Sequence, residues 1–302
     1  MRNVFCQSLV DASDRPEFVF LTGDLGFKAL EPLREALGER FINAGVAEQN
    51  MVSVGAGLSQ AGLRPWVYSI APFVYARPFE QIRNDVCLHR LPVVLVGNGG
   101  GYGYGVMGAT HHALEDYGAL LCLPHLRAYV PAFDGDLRVM IERLFTVSHP
   151  AFLRLGLSEE PAGVAMPAYA PWRRLLDGRG WVVLVCGTLV GKIWDTVRQL
   201  DEARRPALWL LSELPVGPIP EAFLADLKRS GRLLVVEEHV AHGGVAQMVA
   251  GALMEIGAAP ARFAARFACG YPSGRYGSQS FHRRECGLDP AAIAHFLNSE
   301  VA

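Results

Sequence analysis

The feature that most constrains the fold is an alternation of two periods along the chain. Short apolar runs rich in Val, Leu and Phe occupy Phe18–Thr22, Arg64–Ser69, Pro92–Val96, Arg127–Val130 and Ala151–Leu153. Over Ala47–Ala61, Phe73–His89 and Gly135–Ser148, apolar residues recur instead at helical spacing. The short runs suit strands, and the longer segments match the helical period of about 3.6 residues. Strands apolar on both faces and separated by helices are the pattern of a mostly parallel, buried sheet.

The alternation breaks over Leu157–Asp177, which holds several prolines and no clear period. It restarts with Trp181–Cys186, a helix after Gly187, Ala207–Leu211, a helix near Glu221–Lys228 and Leu233–Val236. Helices over Gly243–Ile256 and Pro290–Asn298 complete it. The expected fold class is α/β with two domains, each a mostly parallel sheet flanked by helices. Residues 1–156 form the first, 157–177 a linker and 178–302 the second. A length of 302 residues agrees with two domains, at about 100–200 residues each.

Composition excludes several classes. Hydrophobic residues make up 51% and charged residues 19%, enough for a sizeable core and unlike a disordered chain. A net charge of -2 gives no basic excess for nucleic acid or an anionic membrane. No apolar stretch reaches the roughly 20 residues of a membrane helix, and the N-terminus lacks a signal-peptide pattern. Cys6, Cys87, Cys122, Cys186, Cys269 and Cys286 are scattered without a CxxC pair, so neither a zinc site nor a disulfide framework is expected. Free thiols fit a reducing cytoplasm.

The most informative stretch is Asn43–Asp85. It opens with NAGVAEQN, where Glu48 stands at the start of a helix rich in Gly, Ala and Ser. Small residues allow close approach to a backbone or a planar ligand, and the helix dipole favours a carboxylate at that end. Spacing alone favours reading Glu48 as an ordinary first-turn acid. Further along, Phe73 and Arg77 share a helix face if that segment is one helix.

GVAEQN, the small-residue helix, a strand and then Phe-x-x-x-Arg-x-x-Glu-Gln together resemble the pyrimidine-binding domain of the transketolase family. That family includes transketolase, 1-deoxyxylulose-5-phosphate synthase and the beta subunits of 2-oxo acid dehydrogenases. GATHHALED, FLRLG and VVEEHVAHGG resemble later family segments in order and spacing, over essentially the whole chain. The resemblance implies thiamine diphosphate as cofactor and Glu48 as the acid on the N1′ nitrogen of its aminopyrimidine. That contact lets the ring's own 4′-amino group deprotonate the thiazolium carbon. The protein then supplies positioning and proton transfer while the cofactor supplies the electron sink.

By the same resemblance Phe73 packs on the pyrimidine with Arg77 near it, and Tyr75 and Phe79 are either pocket or core. Asp24, after a strand, lines the cofactor cleft or is only a turn residue. His111 faces substrate oxygens, and His112 stands where Gln is usual. Arg154 matches an arginine that clamps a substrate phosphate. Arg2 matches another in some relatives, or is a tail residue. Glu237, Glu238, His239 and His242 are expected to serve structure and subunit contacts rather than a metal.

Two departures stand out. Relatives acting on sugars carry an acid just before the position of Gly108, where this chain has Val106 and Met107. The run NGGGYGYGVMG is not a phosphate loop, since it lacks the GK[ST] ending. Secondly, the Gly-Asp-Gly and later Asn that hold Mg²⁺ and the diphosphate in whole enzymes have no match. Gly23-Asp24-Leu25 lacks the second glycine, and Asn50 lies inside the Glu48 helix.

The expectation is a C-terminal subunit of a split, thiamine diphosphate-dependent transferase. A separate diphosphate-binding subunit would complete it, as a heterotetramer, to transfer a two-carbon ketol or acyl-anion unit. The rivals are a 2-oxo acid dehydrogenase-like or carrier-loading beta subunit, and a non-catalytic scaffold partner.

Overall fold

The computed structural model describes residues 1–25, 29–161 and 163–299. From the first half come strands β1 (Phe18–Thr22), β2 (Phe41–Asn43), β3 (Arg64–Ile70), β4 (Val94–Asn98), β5 (Arg127–Tyr129) and β6 (Ala151–Leu155). The rest of the chain adds β7 (Trp172–Leu176), β8 (Val182–Cys186), β9 (Ala207–Leu211), β10 (Glu213–Leu214), β11 (Arg232–Glu237) and β12 (Arg262–Arg266). The first sheet has the order β10-β5-β6-β4-β3-β1-β2, the second β12-β11-β8-β9-β7. All neighbours are parallel except the edge strands β10 and β7.

Every residue of β1, β6, β8 and β9 is buried, as runs apolar on both faces require. Phe18 and Phe20 face one layer with Trp66, Tyr68 and Leu137, while Val19 and Leu21 face the other with Val52 and Val67. Burying one such side chain is worth about 1.5–3 kcal/mol. The second layer continues without a break through Tyr117 and Leu120 to Leu184, Trp209 and Val245. The two sheets therefore share a core.

Two sequence expectations need correction. Residues 157–177 are not all linker, because Trp172–Leu176 is β7, paired with β9. As an edge strand with an irregular register at Arg174/Leu176, it lacks the continuous apolar run that marks a central strand. The chain also crosses back, since β10 joins the first sheet beside β5. Phe73–His89 is not one helix. It divides into Ala71–Tyr75, a turn, Phe79–Gln81 and a π-helical turn over Ile82–Cys87. Pro78 lacks the N–H needed inside a helix and breaks it there.

Candidate active site

The loops that follow β1 to β4 all open at the carboxyl edge of the first sheet, where open α/β sheets bind ligands. The helix Glu48–Gln60 starts just after β2 and lies close on β3: a Cβ at Gly55 would come within 3.0 Å of Val67. Its N-cap Ala47 offers no side-chain oxygen, so Glu48 is the negative group of the first turn. Glu48 is only 6% exposed. Arg77 Nη1 donates to Glu48 Oε1 at 2.7 Å.

Arg77 lies in the turn beyond the short helix, not on one helix face with Phe73 as its spacing implied. The guanidinium nevertheless sits 3.7 Å from the Phe73 ring centroid, a cation–π contact. Phe73 meets the His111 ring at 5.3 Å, and Tyr104 lies 5.7 Å from His111 on another side. His111 Nδ1 is engaged by the Thr110 hydroxyl at 2.9 Å, and Tyr104 OH accepts from Asn98 Nδ2 at 2.8 Å. Carboxylate, guanidinium, phenyl, imidazole and phenol thus form one continuous row. A buried carboxyl oxygen beside an aromatic ring fits the nitrogen edge of an aminopyrimidine.

Asp24 stands apart from this row. It is exposed in a neighbouring cleft of about 200 Å³, with Thr22, Glu31, Arg34 and Asn43. Asn43 Nδ2 reaches Asp24 Oδ1 at 3.5 Å. Val106 and Met107 are 72% and 54% exposed on the loop that carries His111.

Arg154 lies in a closed setting. It is 7% exposed, and its Nε donates to Asp116 Oδ2 at 2.7 Å. Its Nη2 donates to the backbone oxygens of Ala113 and Glu238 at 3.0 and 2.9 Å. A guanidinium committed in this way ties β6 to the His111 loop and the second domain.

The remaining candidates divide between core and surface. Tyr75 is 8% exposed and donates to Glu115 Oε2 at 3.2 Å, while Phe79 packs on the core. Arg2 is exposed at the start of a helix, and Asn50 is exposed. His112 is buried: Nε2 donates to Gly105 O at 2.8 Å and Nδ1 accepts from Tyr271 OH at 2.9 Å. Burial holds its pKa below the usual histidine value.

Glu237 accepts from Tyr117 OH and from the N–H groups of Val245 and Ala246, which start a helix. His239 stacks on Tyr117 at 3.9 Å, whereas His242 is exposed. Among the described residues no group of three or more His, Cys, Asp or Glu is arranged to hold a metal. None of their helices is long and apolar enough to cross a membrane.

Sequence reasoning missed Tyr104 and Asp116. Tyr104 was legible only as part of a glycine-rich run. Asp116 looked like one more acid until Arg154 came to rest beside it.

Fold and site together define an α/β protein with a buried carboxylate and an aromatic row at the carboxyl edge of a mostly parallel sheet. The family described as transketolase, pyrimidine binding domain, matches residues 9–159, and the chain belongs to that family. It is 28% identical to a subunit of the apulose-4-phosphate transketolase of Phocaeicola vulgatus, over 84% of this chain and 83% of that one. It is 31% identical to 1-deoxy-D-xylulose-5-phosphate synthase of Myxococcus xanthus, over 96% of this chain but about half (50%) of the relative's length. Among solved structures, one titled split gene transketolase, inactive beta4 tetramer, matches with a TM-score of 0.80 at 26% identity, covering 99% of this chain and 96% of that one. A transketolase from Campylobacter jejuni shares the fold at 15% identity and a TM-score of 0.76, with 46% of its length covered.

Proposed function

We propose that this chain is the pyrimidine-binding subunit of a two-component, thiamine diphosphate-dependent transketolase-type transferase. The observation that carries the reading is the buried Glu48 carboxylate, held by Arg77 beside the Phe73 ring. When bound, thiamine diphosphate supplies the reactive carbon and the electron sink. Glu48 would hold or release the proton at the pyrimidine N1′ atom. Phe73 would pack on the ring, and Arg77 keeps the Glu48 side chain in one place. His111, on the facing loop, would exchange a proton with the substrate oxygen. Mg²⁺ and the diphosphate would be held by a separate subunit, within a heterotetramer whose active sites lie between subunits.

The reaction is transfer of a two-carbon unit to an acceptor carbonyl. A second reading, loading of that unit onto a carrier-bound or unphosphorylated acceptor, is favoured by the closed environment of Arg154 and the exposed Val106 and Met107. The test is reconstitution with a chain of the diphosphate-binding type. The pair is expected to turn over only when both chains, thiamine diphosphate and Mg²⁺ are present. Turnover by this chain alone would defeat the two-component reading, and a pair that binds cofactor yet transfers nothing would favour a scaffold.

A further inference from the structure

We propose that Glu238, in the second domain, is the positioning residue that sets the loop carrying His111. The proposal rests on the reading of His111 as a substrate-facing group.

Glu238 is 5% exposed, and its carboxylate gathers donors from both domains. Oε1 accepts from the backbone N–H of Tyr102 at 2.7 Å and from Gln279 Nε2 at 2.9 Å. Oε2 accepts from Arg283 Nε at 2.7 Å and Nη2 at 2.5 Å. Tyr102 belongs to the first-domain loop, whereas Gln279 and Arg283 lie on the second-domain helix Gln279–Glu285. A buried carboxylate satisfied on both sides is a specific joint, because each donor it loses is left costly and unpaired.

The loop has the shape of its seat. Gly101 has φ +64, and a Cβ there would lie 2.6 Å from Glu238 Oε1. Gly101 and Ala113 exchange backbone hydrogen bonds at 2.8 and 3.0 Å, which closes the loop into one unit. Tyr102 is fully buried, and its hydroxyl donates to Gly270 O at 2.7 Å. His112 reaches Tyr271 from the other end. Only residues such as Val106, Met107 and Thr110 remain exposed, with His111 half-buried between them. The second domain therefore serves as the mould in which His111 is held opposite Phe73.

Glu238→Gln removes the charge and turns an amide N–H towards Arg283. Gly101→Ala leaves the charge but wedges the loop from its seat. Gln279→Ala takes away one donor and is the mild variant. Amide hydrogen exchange on the chain is the readout independent of activity. Exchange over 99–113 should rise about tenfold or more in the first two variants and less in the third, with 43–60 unchanged.

In the reconstituted pair, Glu238→Gln should lower kcat about tenfold or more, with cofactor affinity held within about twofold. The double variant with His111→Ala should be no slower than His111→Ala alone, because the two act as one unit. Unaltered exchange over 99–113, or penalties that multiply in the double variant, would overturn the proposal. A wild-type pair without turnover would count against the proposed function, and the exchange result would still decide the role of Glu238.

Discussion

A carboxylate that is 6% exposed needs a partner, and Glu48 has one in Arg77. Glu48→Gln keeps the shape and an oxygen to accept from Arg77, but cannot exchange a proton. Turnover of the reconstituted pair should fall by about 10²–10⁴, with little change in the thermal midpoint. Near-normal kcat at saturating cofactor would remove Glu48 from the mechanism. Arg154 makes the opposite case. Arg154→Ala strands Asp116, which has no exposed surface, and should destabilise the chain by about 3–5 kcal/mol in urea titrations. Any remaining activity should drop by the same factor for phosphorylated and unphosphorylated acceptors. A selective loss on phosphorylated acceptors would restore the phosphate-clamp role.

At the level of elements, the helix Val245–Glu255 is capped from a distance. Its N-cap Gly244 has no side chain, and Glu237 at the end of β11 accepts from its first two N–H groups, Val245 and Ala246. Glu237→Ala leaves those groups and the Tyr117 hydroxyl unpaired in the interior. Each unpaired group costs about 1–3 kcal/mol, so a loss of several kcal/mol in unfolding free energy is expected. A loss below about 1 kcal/mol would show that water replaces the carboxylate. The acid pair Glu237-Glu238 was visible in sequence only as a charged cluster. One acid caps a helix that begins eight positions later, whereas the other seats a loop through Tyr102, 136 positions away.

Across the whole molecule, the junction between domains is built on neutral histidines. His239 accepts from Gly118 N at 3.1 Å through Nε2 and bonds Val240 O at 2.7 Å through Nδ1, which fixes the neutral tautomer. Burial lowers the pKa of His112, His239 and His282 from the usual 6.5. The unfolded chain then binds protons more readily than the folded one in that range. Stability should be full above about pH 6.5 and should fall as the pH drops toward the folded values. Glu237, raised by burial, opposes this, since the folded chain takes up that proton more readily than the unfolded one as the pH falls. With these three histidines and His149, also lowered by burial, against one acid, the unfolding free energy should be lower at pH 5.5 than at pH 7.5. His239→Gln, which can still accept from Gly118, should flatten the profile. An equally steep profile in that variant would exclude His239 as a source.

The sequence alone determined the two-sheet α/β class, because runs apolar on both faces can be buried only between helical layers. It also determined the segment that holds Glu48 and Phe73, where local motif and chain order suffice. Tertiary structure decided what locality cannot express. Edge strands β7 and β10 carry too little apolar signal to announce their partners. Pro78 cut the helix that spacing implied, yet packing still brought Arg77 onto Phe73 and Glu48. Arg154 looked like an open cation until folding placed Asp116 and two carbonyl oxygens around it. A charged side chain's role depends on what surrounds it after burial, and those neighbours come from distant parts of the chain.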